Sequence, residues 1–148
     1  RYCVPSMMDK IYNRDVLRLA AQISATEPLL NPDATTSVRS PLCGSTIEVS
    51  LKVSGGRITK FGQSIQACAL GQASASIVAE NVIGKNRRQI LEGRKMVNRM
   101  LEGNSEAPRG DWSAFNALIP ARDAKPRHGA ILMPFDAVIS CLEKVSVK

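Results

Sequence analysis

The chain has 148 residues, 44% of them hydrophobic but only 4% aromatic, and carries a formal net charge of +7. That length suits one compact domain, and the apolar content excludes wholesale disorder while requiring a core of Leu, Ile, Val, Ala and Met. The basic residues are scattered, apart from Lys85, Arg87 and Arg88 and from Arg122, Lys125 and Arg127. No interleaved aromatics accompany them, so a nucleic-acid stacking platform is not expected and a solvated basic surface is.

The four cysteines, Cys3, Cys43, Cys68 and Cys141, are widely and irregularly spaced. This is not a dense disulfide framework, and a reduced, cytoplasmic setting is expected. No apolar run approaches the length of a membrane span. Residues 1–7 read as a leader or disordered N-terminus ahead of a single domain over 8–148.

In chain order, residues 8–22 place Ile11, Val16, Leu17, Leu19 and Ala20 at helical intervals and predict an amphipathic helix. Pro28, Asn31, Pro32 and Asp33 make 23–33 a loop. Residues 34–40 are compatible with a strand. Residues 46–53 alternate, with Ile47, Val49, Leu51 and Val53 on one face and Glu48, Ser50 and Lys52 on the other. Gly55-Gly56 marks a hairpin turn, and 57–66 resume as a strand. The Ala/Ser-rich stretch after Cys68 predicts a close-packed helix ending at Gly84. A further helix is expected over 86–102, with Asn86 as N-cap and Ile90, Leu91, Met96, Val97, Met100 and Leu101 inward. A polar loop over 103–110 leads to a short helix over 111–118 capped by Asp111. After an irregular basic stretch from Pro120 to Gly129, a last helix is expected over 130–146, with Pro134 in its first turn. The class is α+β: a three-stranded antiparallel sheet packed against about five helices.

Two cysteines fall at element boundaries. Cys43 sits in P-L-C-G-S-T between two predicted strands, where Gly44 frees the turn to present a thiolate. Cys68 falls where the third strand hands over to a helix, and free N–H groups at a helix start favour thiolate chemistry. Free cysteines are nonetheless commonly just packed, and Cys141 in mid-helix is expected to be so. His128, the only histidine, lies in the basic loop; such a residue is either solvated or a ligand. Glu80, Glu92 and Asp111 have no catalytic partner in the sequence. There is no Cys-x-x-Cys, no Gly-rich phosphate loop and no nucleophile elbow.

Three stretches resemble the NifU/IscU-type (SufU-like) iron–sulfur cluster assembly scaffold family. P-L-C-G-S-T-I-E-V-S-L-K-V is similar to its first cysteine motif, Cys-Gly-Asp followed by an alternating strand. A-C-A-L-G-Q-A-S-A-S-I-V-A-E-N-V-I-G-K is similar to its second, and R-H-G-A-I-L-M-P-F-D-A-V to its third. The N-terminal helix bearing Tyr12, Val16 and Leu17 also fits. The resemblance spans roughly residues 8–146 and implies a scaffold, not a classical enzyme. Such a scaffold accepts sulfur from a cysteine desulfurase, holds a transient cluster or zinc, and passes the cargo to recipient apoproteins.

The ligands implied are Cys43, Cys68 and His128, with Cys68 the expected persulfide acceptor because of its helix start. Arg127 and Lys85 are candidate docking or thiolate-stabilising charges. Where the family has Asp the chain has Ser45, and where it has its third Cys the chain has Ala130, or Gly129 if the register shifts. These losses leave a metal-free protein-binding or regulatory module as the alternative. Neither nucleic acid nor membrane is an expected partner, and monomer and homo-oligomer are both compatible.

Overall fold

The structure is a computed structural model that describes residues 11–42, 44–103 and 107–147. The expected leader over 1–7, Cys3 and Cys43 lie outside the described residues.

Helix α1 (Arg14–Ala21) starts where the extended Asn13 accepts a hydrogen bond from the Val16 N–H on its side chain, and it buries Val16, Leu19 and Ala20. The sheet consists of β1 (Ala34–Arg39), β2 (Thr46–Ser54) and β3 (Arg57–Gln66), paired antiparallel in the order β1-β2-β3. Val38 lies opposite Ile47, and Leu51 opposite Phe61. Gly55 and Gly56 both adopt positive φ (60° and 77°), the conformation that a two-residue hairpin matched to strand twist requires.

The alternation of β2 holds for Ile47, Val49 and Leu51 but not for Ser50, which is buried as well. The reason is tertiary. The 23–33 loop lies over that face, the Leu29 N–H donates to Ser50 Oγ at 3.1 Å, and a Cβ on Gly62 would stand 2.4 Å from the Glu27 carbonyl.

Helix α2 (Ala69–Asn81) buries its run of small residues, Gly71 and Ala73 to Ser76, and so approaches its neighbours closely. Helix α3 (Arg87–Leu101) opens with a full capping box between Asn86 and Gln89, as the sequence predicts. Leu91, expected inward, is half-exposed instead. Gly93 takes the inward place because Trp112 rests on it.

The expected short helix over 111–118 is a longer 3₁₀ run, Gly110–Asp123. Trp112, Phe115, Leu118 and Ala121 are its buried residues, at the three-residue interval of a 3₁₀ turn. Asp111 does not cap it. The N-cap position is Arg109, and Asp111 instead pairs with Lys85 at 2.7 Å.

A second 3₁₀ turn, Lys125–Arg127, runs directly into helix α4 (His128–Val147). The basic stretch is therefore largely regular, and α4 begins at His128 rather than at residue 130. Pro134 consequently lies in the second turn, where it cannot donate to the Ala130 carbonyl.

Helices α2 and α4 pack together, and α4 lies across β1 and β2. The central core is Leu70, Ile77, Phe115, Ile131, Met133 and Phe135, all buried. The architecture is α+β. Among the described residues its five main helical elements (α1, α2, α3, the long 3₁₀ run and α4) correspond to the five helices predicted, and no helix is long and apolar enough to cross a membrane.

Candidate functional site

Cys68 occupies the N-cap position of α2 with extended backbone angles (φ −66°, ψ 169°), and its side chain makes no capping bond. The strand ends at Gln66 and the helix starts at Ala69, which leaves Cys68 on the rim of the sheet, half-buried. Side-chain caps are absent there, so the first-turn N–H groups of α2 keep their partial positive charge.

Two further side chains lie near this position. Tyr12 is close enough to Cys68 and to Arg127 for both to act on its phenol, and the Arg127 guanidinium carbon lies 5.8 Å from the centre of the Tyr12 ring. Burial, and then the neighbouring charge of Cys68, push the Tyr12 phenol above its ordinary value; Arg127 pulls the other way and loses.

The start of α4 is wedged between the two cysteine-bearing regions. On one side, a Cβ built on Gly71, in the first turn of α2, would stand 3.4 Å from the Ala130 Cβ. In the next turn the Ser74 hydroxyl donates to the Ile131 carbonyl at 2.5 Å. On the other side, a Cβ on Gly129 would stand 2.7 Å from Ser40 Oγ. Ser40 closes the turn that carries the first cysteine motif: its N–H donates to the Ser45 carbonyl at 2.8 Å, and its carbonyl accepts from the Gly44 N–H at 2.9 Å. The three motif segments thus meet at one end of the molecule. Ser45 and Ala130, which stand where the resemblance places ligands, are both buried, and neither supplies a thiol or a carboxylate.

His128 begins α4 half-buried, and its Nε2 is 3.0 Å from the Ala121 carbonyl. It lines an open cleft with Leu101, Arg122, Asp123 and Lys125. Among the described residues, no three His, Cys, Asp or Glu side chains stand close enough together to share a metal ion. Cys43 is outside that set. Of the three ligands that the resemblance implies, Cys68 and His128 lie among the described residues and Cys43 does not.

The remaining candidates are structural. Cys141 is buried with its thiol 3.4 Å from the Val49 carbonyl, and burial pushes that thiol up. Glu92 pairs with Arg88. Lys85 is held by Asp111 and lies 5.5 Å from the centre of the Trp112 ring, whereas Arg127 lies against the Tyr12 ring. Tyr12 was legible only as a helix position, because nothing local in the sequence connects it to Cys68.

Residues 11–114 match the model of the NifU-like N terminal domain. Among solved structures, the chain is similar to the N-terminal part of a nitrogen-fixing NifU-like protein from Brucella abortus. That match has 42% identity and a TM-score of 0.91, covering 97% of this chain and 99% of the other. It shares its fold with a putative iron–sulfur cluster assembly scaffold protein for the SUF system from Fervidobacterium islandicum, at TM-score 0.80 and 20% identity over 90% of this chain and 98% of that one. Among characterised proteins it is 24% identical, over 75% of each chain, to the zinc-dependent sulfurtransferase SufU of Bacillus subtilis.

Proposed function

This chain belongs to the NifU-like N-terminal domain family of iron–sulfur cluster assembly scaffolds, and from that premise we propose that it is a cytoplasmic sulfur acceptor whose chemistry centres on Cys68, with Cys43 as the second thiol. The observation that carries this reading is the convergence of the three motif segments around the start of α2, where the Gly71–Ala130 and Gly129–Ser40 contacts bring α4 against both cysteine-bearing regions.

The donor is the persulfide of a cysteine desulfurase. The Cys68 thiolate attacks the terminal sulfur: a new S–S bond forms on Cys68, the donor's S–S bond breaks, and its electron pair leaves with the desulfurase thiolate. One neutral sulfur atom moves and there is no net oxidation or reduction. Turning it into the sulfide of a cluster requires two electrons from an external thiol or an iron–sulfur electron carrier, together with ferrous iron. The cluster is cargo, destined for a recipient apoprotein. A resident zinc would be held by Cys43, Cys68 and His128, with an external fourth donor; it would supply Lewis acidity and keep the thiols ionised.

The test is incubation of the purified chain with a cysteine desulfurase and cysteine, followed by mass spectrometry of the intact protein and its peptides. A sulfur adduct on Cys68 that disappears in Cys68→Ser is the expected result. Wild-type protein that gains no sulfur on any cysteine overturns the acceptor reading. The burial of Ser45 and Ala130 favours a second reading, a scaffold fold retained as a metal-free protein-binding module. Partner binding indifferent to both Cys43→Ser and Cys68→Ser, with no metal after gentle purification, is the outcome that selects it.

A further inference from the structure

The fold gathers basic residues along α3. Arg88, Glu92, Lys95 and Arg99 follow one another at steps of four, three and four, which puts them in one stripe about 16 Å long on a single face of the helix. Arg88 is taken up by Glu92 at 3.3 Å, and elsewhere on α3 Arg87 pairs with Glu143 and Arg94 with Asp136. Lys95 and Arg99 are exposed and have no carboxylate partner among the described residues. The loop entering the 3₁₀ run brings a third such cation, the exposed Arg109, to the same place. Together they line a groove of about 240 Å³, to which half-buried Met96 and Ala107 contribute the apolar part.

Like charges around one groove build a positive potential, and low-dielectric walls focus it. The groove is smaller than the roughly 300 Å³ at which small-molecule sites begin. It has room for one or two side chains rather than for a cofactor. Met96 offers them a flexible, polarisable surface. No aromatic ring lines the groove, so nucleic-acid bases have nothing to stack on. Charge and shape fit carboxylates on either side of an apolar side chain. We propose that this groove docks a short acidic segment of a partner protein, with its carboxylates on Lys95, Arg99 and Arg109 and an intervening apolar side chain against Met96. Docking there uses none of the thiols and holds whether or not Cys68 accepts sulfur.

The test is fluorescence anisotropy of the full chain with a labelled peptide of the pattern Glu-Glu-Leu-Glu-Glu. Saturable binding that fades as salt is added is expected. Gln for every Glu should abolish it, and Ser for Leu should weaken it about threefold. Lys95→Glu/Arg99→Glu should weaken it about tenfold. Arg14→Glu/Lys60→Glu makes the same change of net charge at exposed residues elsewhere and should alter it less than about twofold, which separates the groove from charge at large. Should the first double variant not fold, Arg109→Ala, in the loop, is expected to weaken binding about threefold. No saturable binding by wild type, equal affinity for the Gln or Ser peptide, or an equal loss in both double variants overturns the proposal. Tighter binding of a single-stranded DNA oligonucleotide of the same charge than of the peptide also overturns it, in favour of a nucleic-acid surface.

Discussion

Ala130 stands against Gly71 across the α2–α4 contact, with 3.4 Å between its Cβ and the position a Cβ on Gly71 would take. Position 130 therefore faces the helix that Cys68 opens, whereas Gly129 faces Ser40.

That relationship makes Ala130 the place to restore a donor. The double variant Ser45→Asp/Ala130→Cys is expected to retain zinc at least about tenfold longer than wild type against a chelator, because it adds a carboxylate and a thiolate to a thiol-poor set. Metal analysis after timed dialysis checks it. Retention equal to wild type would mean that positions 45 and 130 do not face a common site.

Gly93 and Trp112 set a second test. A Cβ at 93 would stand 2.6 Å from Trp112 Cε2 and 3.0 Å from Phe135 Cε1, so Gly93→Ala must displace the indole. Overpacking costs about 1–3 kcal/mol, which outweighs the roughly 1 kcal/mol that Ala gains over Gly in a helix. Net destabilisation of about 1 kcal/mol is expected in urea titration. The chain has one tryptophan, so an emission shift should accompany it; unchanged stability and emission would contradict the packing.

The capping box of α3 predicts a smaller effect. Asn86→Ala removes the bond from the Gln89 N–H (3.0 Å) and unseats the return bond from the Asn86 N–H to Gln89 Oε1 (2.9 Å). A loss of about 1 kcal/mol is expected, measured by the urea midpoint.

Cys141 gives a pH dependence. Burial raises its thiol above the ordinary 9.0, so in alkali the unfolded chain loses this proton first. The stabilising contribution is complete below about pH 9 and falls as pH rises past it. Cys141→Ala should be less stable near neutrality by about 1 kcal/mol from the lost packing, yet lose less stability than wild type between about pH 8 and pH 10. Parallel losses in the two proteins would refute it. In native protein a water-soluble disulfide reagent should modify Cys68 and spare Cys141 until unfolding.

Much of the fold was legible because it is written in local periodicity. The strand over 57–66, the Gly55-Gly56 hairpin and the Asn86 cap fall where alternation, paired glycines and an Asn before an apolar helix put them. What was missed depends on contacts between distant segments. Ser50 is buried by a loop whose approach requires the missing Cβ of Gly62. The start of α4 moved upstream because a 3₁₀ turn feeds it. One miss did have a signal: the spacing of three in Trp112, Phe115, Leu118 and Ala121 is the 3₁₀ period, and the helical reading stopped at 118. At the site, the place of Cys68 at a helix start could be read from the sequence. The nearness of Tyr12 to it could not, since the two residues share neither an element nor a motif.

Helix α4 has one end among the motif segments and the other deep on the sheet, where Cys141 reaches the Val49 carbonyl and Lys144 the Thr35 carbonyl at 2.7 Å. One continuous helix joins the two ends, so packing at the far end helps to hold the near one. Cargo retention and melting temperature should therefore rise and fall together across variants remote from any thiol, since whatever binds only the native arrangement stabilises it by mass action.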